Sequence, residues 1–204
     1  MTLRLARGTP WFVGVLWLLP VVVRPVPARL AAAALAAGTT WFFRDPDRSP
    51  DSDGLVAAAD GVVRSVEADQ PDRQTVSTYL DLLDVHVTRA PCDAVVTEQT
   101  YRPGRHHRAS SRTAHTNERL QWRLSTEHGE IELTQYAGAV ARRIVAYQSV
   151  GDRVRRGQRI GLIRFGSRVD VTFPKEFRVT VRTGNRLRGH RHPRRQVPDL
   201  HAAR

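Results

Sequence analysis

Lysine and cysteine are almost absent from this sequence of 204 residues, since each is present only once, as Lys175 and Cys92. A single cysteine excludes both an internal disulfide and a zinc site built from several cysteines, and it favours a reducing compartment. A single lysine means that a cofactor held as a lysine imine, such as pyridoxal, could use only Lys175. Both shortages therefore narrow the chemistry that the chain can perform.

Positive charge is abundant instead, and arginine supplies almost all of it, giving a formal net charge of +12. Such a balance favours phosphate-bearing partners, either nucleic acid or the anionic surface of a membrane. Compositional bias of the genome is the plain alternative. The aromatic residues cluster in the apolar amino-terminal segment and not in the basic loop described below. This distribution disfavours base stacking, so we expect no nucleic-acid partner.

Two uncharged apolar runs occupy the amino-terminal segment 1–48, at residues 11–23 and 30–43. Each run is shorter than the roughly 20 residues that a membrane span needs. A signal peptide and a buried hairpin of the soluble domain are alternatives, but a membrane-embedded hairpin of two short helices fits best. Arginines at both ends of the pair then predict a cell-membrane location with the following domain on the cytoplasmic side. The expected interfacial anchors are Trp11, Trp17, Trp41, Phe42 and Phe43.

Short β strands separated by turns are predicted for residues 49–189. A strand, then Val150-Gly-Asp-Arg-Val-Arg-Arg-Gly157, then another strand is the pattern of biotinyl and lipoyl carrier domains. The predicted fold is therefore mainly β, a lipoyl-like or barrel-sandwich-like domain preceded by the membrane-associated helical hairpin. No lysine stands at the hairpin tip, so carrier chemistry is not expected. The basic tail at residues 190–204 is predicted to be disordered.

The dipeptide Gly166-Ser167 lies between two strand-like runs, residues 160–163 and 169–173. Gly166 has no Cβ and therefore lets a nucleophile approach its carbonyl closely. Ser167 carries a hydroxyl that could attack that carbonyl if a base activates it. A plain Gly-Ser turn is the interpretation that the dipeptide alone favours. A self-processing site is the alternative, and the rest of the chain decides between them.

Two polar groups of residues interrupt the predicted strands. His86 lies between Val85 and Val87 and would point to the opposite face of a strand from both, so it need not be a core residue. The segment 101–119 is a strongly basic loop whose three histidines match no tetrahedral ligand spacing, so no metal site is predicted. Its arginines suit a phosphate or lipid headgroup, and a solvated flexible loop is an equal alternative.

Seven segments carry a resemblance through their order and spacing. They are Phe42-Phe-Arg-Asp-Pro46, Ala59-Asp-Gly61, Asp84-Val-His-Val-Thr-Arg-Ala-Pro91, Asn117-Glu-Arg119, Gln135-Tyr-Ala-Gly-Ala-Val-Ala-Arg-Arg-Ile144, Gly151-Asp-Arg-Val-Arg-Arg-Gly-Gln158 and Ile163-Arg-Phe-Gly-Ser-Arg-Val-Asp170. Together they resemble the phosphatidylserine decarboxylase proenzymes, specifically the short bacterial and archaeal type. The resemblance is close over residues 40–174, and it extends to the apolar segment in character only.

The resemblance implies a membrane-bound carboxy-lyase of phospholipid biosynthesis that converts phosphatidylserine to phosphatidylethanolamine and CO₂. It implies that the Ser167 hydroxyl attacks the Gly166 carbonyl and that the chain is cut there into a β fragment, residues 1–166, and an α fragment, residues 167–204. The two fragments stay together, and Ser167 becomes a pyruvoyl group that forms an imine with the substrate amine. Neither pyridoxal phosphate nor a metal is then needed.

The resemblance also implies roles for other residues. His86 matches the first histidine of a His-x-x-His-x-Pro motif in longer relatives and would transfer a proton during decarboxylation. Asp60 matches an Asp-Gly carboxylate that orients His86 or assists cleavage, with an ordinary Asp-Gly turn as an equal alternative. Arg89 stands where the longer relatives have their second histidine, so the base for cleavage is not identified. The residues expected to hold the substrate phosphodiester are Arg102, Arg105 and Arg119.

A non-catalytic, membrane-tethered, lipoyl-like adaptor is the alternative function for the whole chain. It needs no cleavage at Ser167, whereas the decarboxylase does. The sequence leaves open whether the lipid is of the diacyl or the ether type, and whether the protein forms a homo-oligomer.

Overall fold

The computed structural model describes residues 4–48, 54–109, 111–139, 143–164, 167–188 and 201–202. Gly166 of the predicted cleavage site lies outside the described residues, and so does the predicted disordered tail apart from His201 and Ala202. The chain forms two compact units, Met1–Pro46 and Asp47–Arg204.

The first unit contains α1 (Phe12–Leu16), α2 (Leu19–Val22) and α3 (Val26–Phe42). The second unit contains β1 (Gly61–Gln70), β2 (Arg73–Leu80), β3 (Val87–Arg89), β4 (Ala94–Arg102), a 3₁₀ turn (Arg112–Thr116), β5 (Arg119–Thr126), β6 (Gly129–Ala137), β7 (Ile144–Ala146), β8 (Arg153–Val154), β9 (Arg159–Ile163), β10 (Ser167–Pro174), β11 (Phe177–Arg178), β12 (Arg186–Leu187) and β13 (His201–Ala202). The prediction of a mainly β protein is confirmed.

The helices of the first unit form a small hairpin. The alanine-rich sequence of α3 favours a helix, and the indole Nε1 of Trp17 donates a hydrogen bond of 3.0 Å to Thr40 Oγ1 on α3. None of the described helices combines the length and the apolar character that a bilayer span requires. Trp11, Trp17 and Trp41 are exposed, but Phe42 and Phe43 are buried. The expectation that these two phenylalanines serve as interfacial anchors is therefore wrong, because their rings are already packed inside the protein.

An eight-stranded antiparallel sheet is the main feature of the second unit. Its strand order is β12-β1-β2-β10-β6-β5-β4-β8, and the sheet is curled into a half-barrel. A three-stranded sheet, β3-β9-β7, and a two-stranded sheet, β11-β13, accompany it. The sheets bury alternate residues of β10, and Val169, Val171 and Phe173 belong to the core. The two strands predicted on either side of Gly166-Ser167 are confirmed as β9 and β10.

A buried polar chain connects the eight-stranded sheet to the three-stranded sheet. Trp122 Nε1 on β5 donates to Gln135 Oε1 on β6 at 2.9 Å, and Gln135 Nε2 donates to Thr88 Oγ1 on β3 at 2.9 Å. All three side chains are fully buried, so each bond replaces hydration that the group has lost. Gly161 lets β9 approach closely, because a Cβ there would lie 3.0 Å from Gln135 Nε2. This chain fixes β3, which directly follows His86, against the main sheet.

Asp60 and Gly61 do not form a hairpin turn between two strands. Asp60 is buried and precedes β1, which begins at Gly61. Gly61 has a φ of 140°, and a Cβ on it would lie 2.1 Å from the carbonyl oxygen of Tyr79 on β2. Only glycine therefore fits the close approach of β1 to β2. The glycine has a packing function, and it directs the preceding carboxylate into the interior.

Candidate active site

Ser167 is the first residue of β10, which lies in the middle of the eight-stranded sheet. It is in register with Leu80 on β2 and with Ala137 on β6. The side chain is fully buried, and its Oγ has no hydrogen-bond partner among the described residues. A buried hydroxyl without a partner costs about 1–3 kcal/mol, so its retention here points to chemical use of that oxygen.

His86 lies just before β3 and is also fully buried. Its Nδ1 is 3.0 Å from the carbonyl oxygen of Asp84. A carbonyl can only accept, so Nδ1 carries a proton, and in the neutral tautomer this places the lone pair on Nε2. The interpretation that His86 need not be a core residue is corrected, because the three-stranded sheet and its neighbours bury Val85, His86 and Val87 alike.

The structure brings His86 and Ser167 to the same edge of the sheet. The amide of Ile163, at the end of β9, donates to the carbonyl oxygen of His86 at 3.2 Å. Ser167 pairs with Leu80 at the other end of the short segment that joins β9 to β10. Leu80 and His86 are separated only by the turn at residues 81–85. The partners of Ile163 and Ser167 are therefore close to each other. This arrangement is consistent with a histidine that serves the chemistry of residue 167.

Asp84 holds the turn that carries His86. Its carboxylate is buried and accepts a hydrogen bond of 2.9 Å from the Asp81 amide. Its other oxygen pairs with the guanidinium of Arg186 on β12 at 2.5 Å. Arg186 lies after the predicted cleavage site, whereas Asp84 and His86 lie before it. A residue of the predicted α fragment thus supports the turn that carries a histidine of the predicted β fragment.

Asp60 pairs with an arginine that the sequence interpretation did not consider. Its carboxylate accepts two hydrogen bonds from the guanidinium of Arg48, one of them at 2.8 Å, and both side chains are almost completely buried. The amide of Arg89 donates to the carbonyl oxygen of Ala58 at 2.8 Å, so this segment lies beside β3. Asp60 is thus an interior, charge-paired carboxylate next to the strand that follows His86.

The family model for phosphatidylserine decarboxylase matches residues 35–192, which is well over half of the chain. The chain belongs to the phosphatidylserine decarboxylase family. A relative from Thermobifida fusca, named phosphatidylserine decarboxylase proenzyme, is 45% identical over 91% of this chain and 89% of its own length. A relative of the same name from Streptomyces avermitilis is 44% identical over 90% of this chain and 89% of its own length.

A relative from Methanosarcina acetivorans has a different name, putative archaetidylserine decarboxylase proenzyme. It is 44% identical over 72% of this chain and 69% of its own length. The resemblance inferred from the sequence is therefore confirmed, and these relatives are all named as decarboxylase proenzymes.

Arg89 has a structural function in this member of the family. It is buried, and one terminal nitrogen donates to the carbonyl oxygen of Gly157 at 2.9 Å. The Gly157 amide in turn donates to the carbonyl oxygen of Ala90 at 2.9 Å. Arg89 thus links the Val-Gly-Asp hairpin to β3.

Two of the three predicted phosphodiester ligands lie on the other face of the sheet from the Ser167 side chain. Arg102 and Arg119 are in register with each other, and Arg119 is in register with Tyr136. Tyr136 pairs with Arg168, the neighbour of Ser167, so this row faces away from the core. The structure therefore places Arg102 and Arg119 at the same edge as Ser167 but not beside its hydroxyl.

The basic loop after β4 is anchored to the sheet in its described part. Asn117 is fully buried, and its side chain accepts from the His107 amide and donates to the His107 carbonyl oxygen, both at 2.8 Å. It also donates to the carbonyl oxygen of Ala137, the register partner of Ser167, at 2.7 Å. Arg105, the third predicted phosphate ligand, forms a parallel bridge with Asn117. The loop is thus fixed next to the site.

Two further arginines, Arg164 and Arg143, are neighbours at the point where β9 ends. The Arg164 amide donates to the Arg143 carbonyl oxygen at 3.1 Å. Burial and the charge of Arg143 lower the pKa of Arg164 from its ordinary value. Two neighbouring guanidinium groups favour a bound anion. The sequence showed Arg164 beside Gly166-Ser167, but only the sheet pairing shows that Arg143 is its neighbour.

We expect Arg186→Gln to lower kcat for decarboxylation with little change in KM, because it removes the charge that holds Asp84 and hence the His86 turn. Loss of a charge-assisted hydrogen bond to a buried carboxylate should also reduce the free energy of unfolding by about 1–3 kcal/mol. Kinetics measured well below the unfolding midpoint separate the two effects. Arg186→Lys should restore part of kcat, whereas Arg182→Gln, an exposed neighbour, should change neither quantity. An unchanged kcat in Arg186→Gln would contradict the positioning function.

Proposed function

We propose that this chain is a pyruvoyl-dependent phosphatidylserine decarboxylase, which converts phosphatidylserine to phosphatidylethanolamine and CO₂. The observation that carries this proposal is the fully buried Ser167 hydroxyl without a described partner, directly after Gly166, in a chain of this family. The names of its relatives support the substrate class. The buried His86 at the same edge of the sheet supplies a group for proton transfer.

Self-cleavage is proposed between Gly166 and Ser167. The Ser167 oxygen forms a bond to the Gly166 carbonyl carbon, and the amide C–N bond breaks, which leaves an ester and a free amino group. Removal of the Ser167 α-proton then expels the Gly166 carboxylate from Cβ and leaves dehydroalanine. Its enamine tautomerises and takes up water, ammonia leaves, and residue 167 becomes pyruvoyl. Atoms balance with one water consumed and one ammonia released.

The surroundings of residue 167 fit a pyruvoyl group. Ser167 is fully buried, and its Oγ has no described partner that would have to be displaced. When formed, the pyruvoyl carbonyl supplies the electron sink that a lysine-bound pyridoxal supplies in other decarboxylases. The chain's own residues then have three tasks. The guanidinium groups of Arg164 and Arg143 can hold an anionic group, and His86 offers Nε2 for a proton. The buried edge of the sheet excludes water.

The two fragments are expected to remain associated because β10 is not an edge strand. It pairs with β2 along eight residues, from Ser167 opposite Leu80 to Pro174 opposite Arg73. On its other side it pairs with β6 from Ser167 to Thr172. Release of the α fragment would expose both ladders and the core side chains of β10.

Attachment of the first unit to the cell membrane, with the catalytic unit on the cytoplasmic side, remains part of the proposal. It is supported by the exposed Trp11, Trp17 and Trp41, since tryptophan favours the membrane interface. The arginines that flank the helices favour the cytoplasmic side.

A lipoyl-like arrangement of β7, β8 and β9 around Gly151 and Gly157 is the finer assignment of fold that we propose.

Intact-mass spectrometry of the purified protein, combined with CO₂ release from phosphatidylserine, tests the proposed function. We expect two fragments that break between residues 166 and 167, with the smaller one blocked to amino-terminal sequencing. The same preparation should release CO₂ from phosphatidylserine, and archaetidylserine offered in parallel distinguishes the diacyl from the ether substrate. A single intact chain without activity would instead support the adaptor.

A further inference from the structure

The turn at residues 81–84 exposes two adjacent leucines beside the candidate active site. Leu82 is 53% exposed and Leu83 is 70% exposed. The turn is held by hydrogen bonds of 2.9 Å in both directions, from the Asp81 amide to the Asp84 carboxylate and from the Asp84 amide to the Asp81 carbonyl oxygen. Because the turn is fixed by these bonds, the leucines stay directed away from the core, which is unfavourable in water.

Leu82 and Leu83, which we call the leucine tip, lie between two segments of the candidate active site. The turn begins directly after Leu80, the register partner of Ser167, and ends directly before the segment that carries His86. A molecule that reaches residue 167 from this edge must therefore pass close to the leucine tip. An apolar tip at the entrance suits a substrate with apolar chains.

The row of side chains at this edge, on the face opposite the core, is basic and aromatic. Arg168 stacks on Tyr136 with its guanidinium carbon 4.8 Å from the ring centroid, and Arg64 stacks on Tyr79 at 5.0 Å. Burial raises the pKa of Tyr136, so its hydroxyl stays neutral. In register order the row consists of Tyr79, Arg168, Tyr136, Arg119 and Arg102. We call it the basic row.

The opposite edge of the same face has the opposite character. Its row consists of Glu67, Thr75, Thr172, Glu132, Arg123 and Glu98. Arg123 is paired with Glu98 at 3.3 Å, so the remaining charge of this row is negative. Arg168 is likewise paired, with the carboxylate of Asp170, so Arg119 and Arg102 supply the net positive charge of the basic row. The face thus runs from positive at the Ser167 edge to negative at the far edge. An anionic surface would attract the first edge and repel the second.

We propose that the edge formed by the leucine tip and the basic row docks on an anionic phospholipid bilayer. Leu82 and Leu83 enter the interfacial region, and Arg119 and Arg102 lie against lipid phosphates, with Tyr79 and Tyr136 at headgroup level. This proposal rests on the proposed function, because docking at this edge brings the lipid from the bilayer directly to residue 167.

The full-length double variant Leu82→Ser/Leu83→Ser tests the proposal with two forms of one substrate. One is phosphatidylserine in vesicles with phosphatidylcholine, and the other is a short-chain phosphatidylserine kept monomeric in solution. Removing two leucines from the interface should lower the rate on vesicles by about tenfold or more. The rate on the monomeric lipid should stay within about twofold, as for other exposed substitutions.

Matched controls separate docking from damage to the site. Val150 is 58% exposed in the turn next to the opposite edge, so Val150→Ser should leave both rates unchanged. Leu82→Phe/Leu83→Phe should retain the rate on vesicles, because insertion needs apolar character and not leucine itself. Equal losses on both substrates, or no loss on vesicles, would overturn the proposal.

A readout that does not depend on activity separates this proposal from the proposed function. An environment-sensitive fluorophore on Leu83→Cys, in a Cys92→Ala background, should shift to the blue when anionic vesicles are added. The same fluorophore on Val150→Cys should not shift. If the protein releases no CO₂ from either lipid, the proposed function fails, and the fluorophore still decides whether the edge docks. No shift at position 83 overturns the docking proposal.

Discussion

Replacement of Ser167 by alanine is expected to leave a single full-length chain that releases no CO₂ from phosphatidylserine. The substitution removes the only atom of residue 167 that can attack the preceding carbonyl. It also removes the source of the pyruvoyl group. Because both steps depend on that oxygen, the loss of activity should be complete, down to the uncatalysed rate.

The same variant should fold well, which makes its loss of activity informative. The Ser167 hydroxyl is buried and has no partner among the described residues, so its removal relieves a cost of about 1–3 kcal/mol. The uncut chain also retains the connection between β9 and β10. Thermal unfolding should therefore show a variant at least as stable as the cleaved protein.

Ser77 provides a matched control for this prediction. It is buried on β2, one strand away from β10 and in register with Asp170, but away from the Gly166-containing segment. Ser77→Ala should be cleaved to completion and should release CO₂ at the normal rate. Continued cleavage between residues 166 and 167 in Ser167→Ala would contradict the assignment of the nucleophile.

Replacement of His86 by alanine is expected to lower decarboxylation by about 10²–10⁴-fold, the usual contribution of a positioned general acid or base. Self-cleavage should be affected less. The Asp84 carbonyl oxygen holds Nδ1, so we expect Nε2 to be the nitrogen that exchanges a proton with substrate. Cleavage followed by mass spectrometry, and CO₂ release measured on the cleaved fraction alone, separate the two steps.

Two additional variants sharpen this test. His86→Gln fills most of the space of the ring without acting as a base at neutral pH, so it separates proton transfer from the cavity that alanine creates. His128 lies in the turn between β5 and β6, at the far edge of the sheet. The control variant His128→Ala should therefore behave as the unaltered protein. Equal losses of cleavage and decarboxylation in both His86 variants would assign this residue to maturation instead.

The strands next to the cleavage site could be predicted because their sequences alternate. The apolar residues of 160–163 and 169–173 report one buried face each, and the observed β9 and β10 span them. The burial of His86 could not be predicted in the same way. Alternation shows only which residues share a face, and β3 is covered on both faces, so the histidine is as buried as the valines beside it.

The pairings made by side chains were the least accessible from the sequence. Arg48 and Asp60 are 12 positions apart, and no local pattern indicates that they pair. Arg186 reaches Asp84 from more than a hundred residues away. Arg102 and Arg119 were expected in one loop, but they are terminal residues of β4 and β5. At a strand end a shift of one residue changes the face, so their side could not be inferred.

The position of Ser167 between Leu80 and Ala137 has a consequence for the order of events in biosynthesis. Its neighbours belong to β2 and β6, which lie far apart in the chain and must both be in place before the surroundings of Ser167 exist. Contacts between such distant segments form late in folding. The proposed cut after Gly166 would therefore be a permanent chemical mark that the central sheet has closed, and the uncut fraction of a preparation would count the molecules in which it has not.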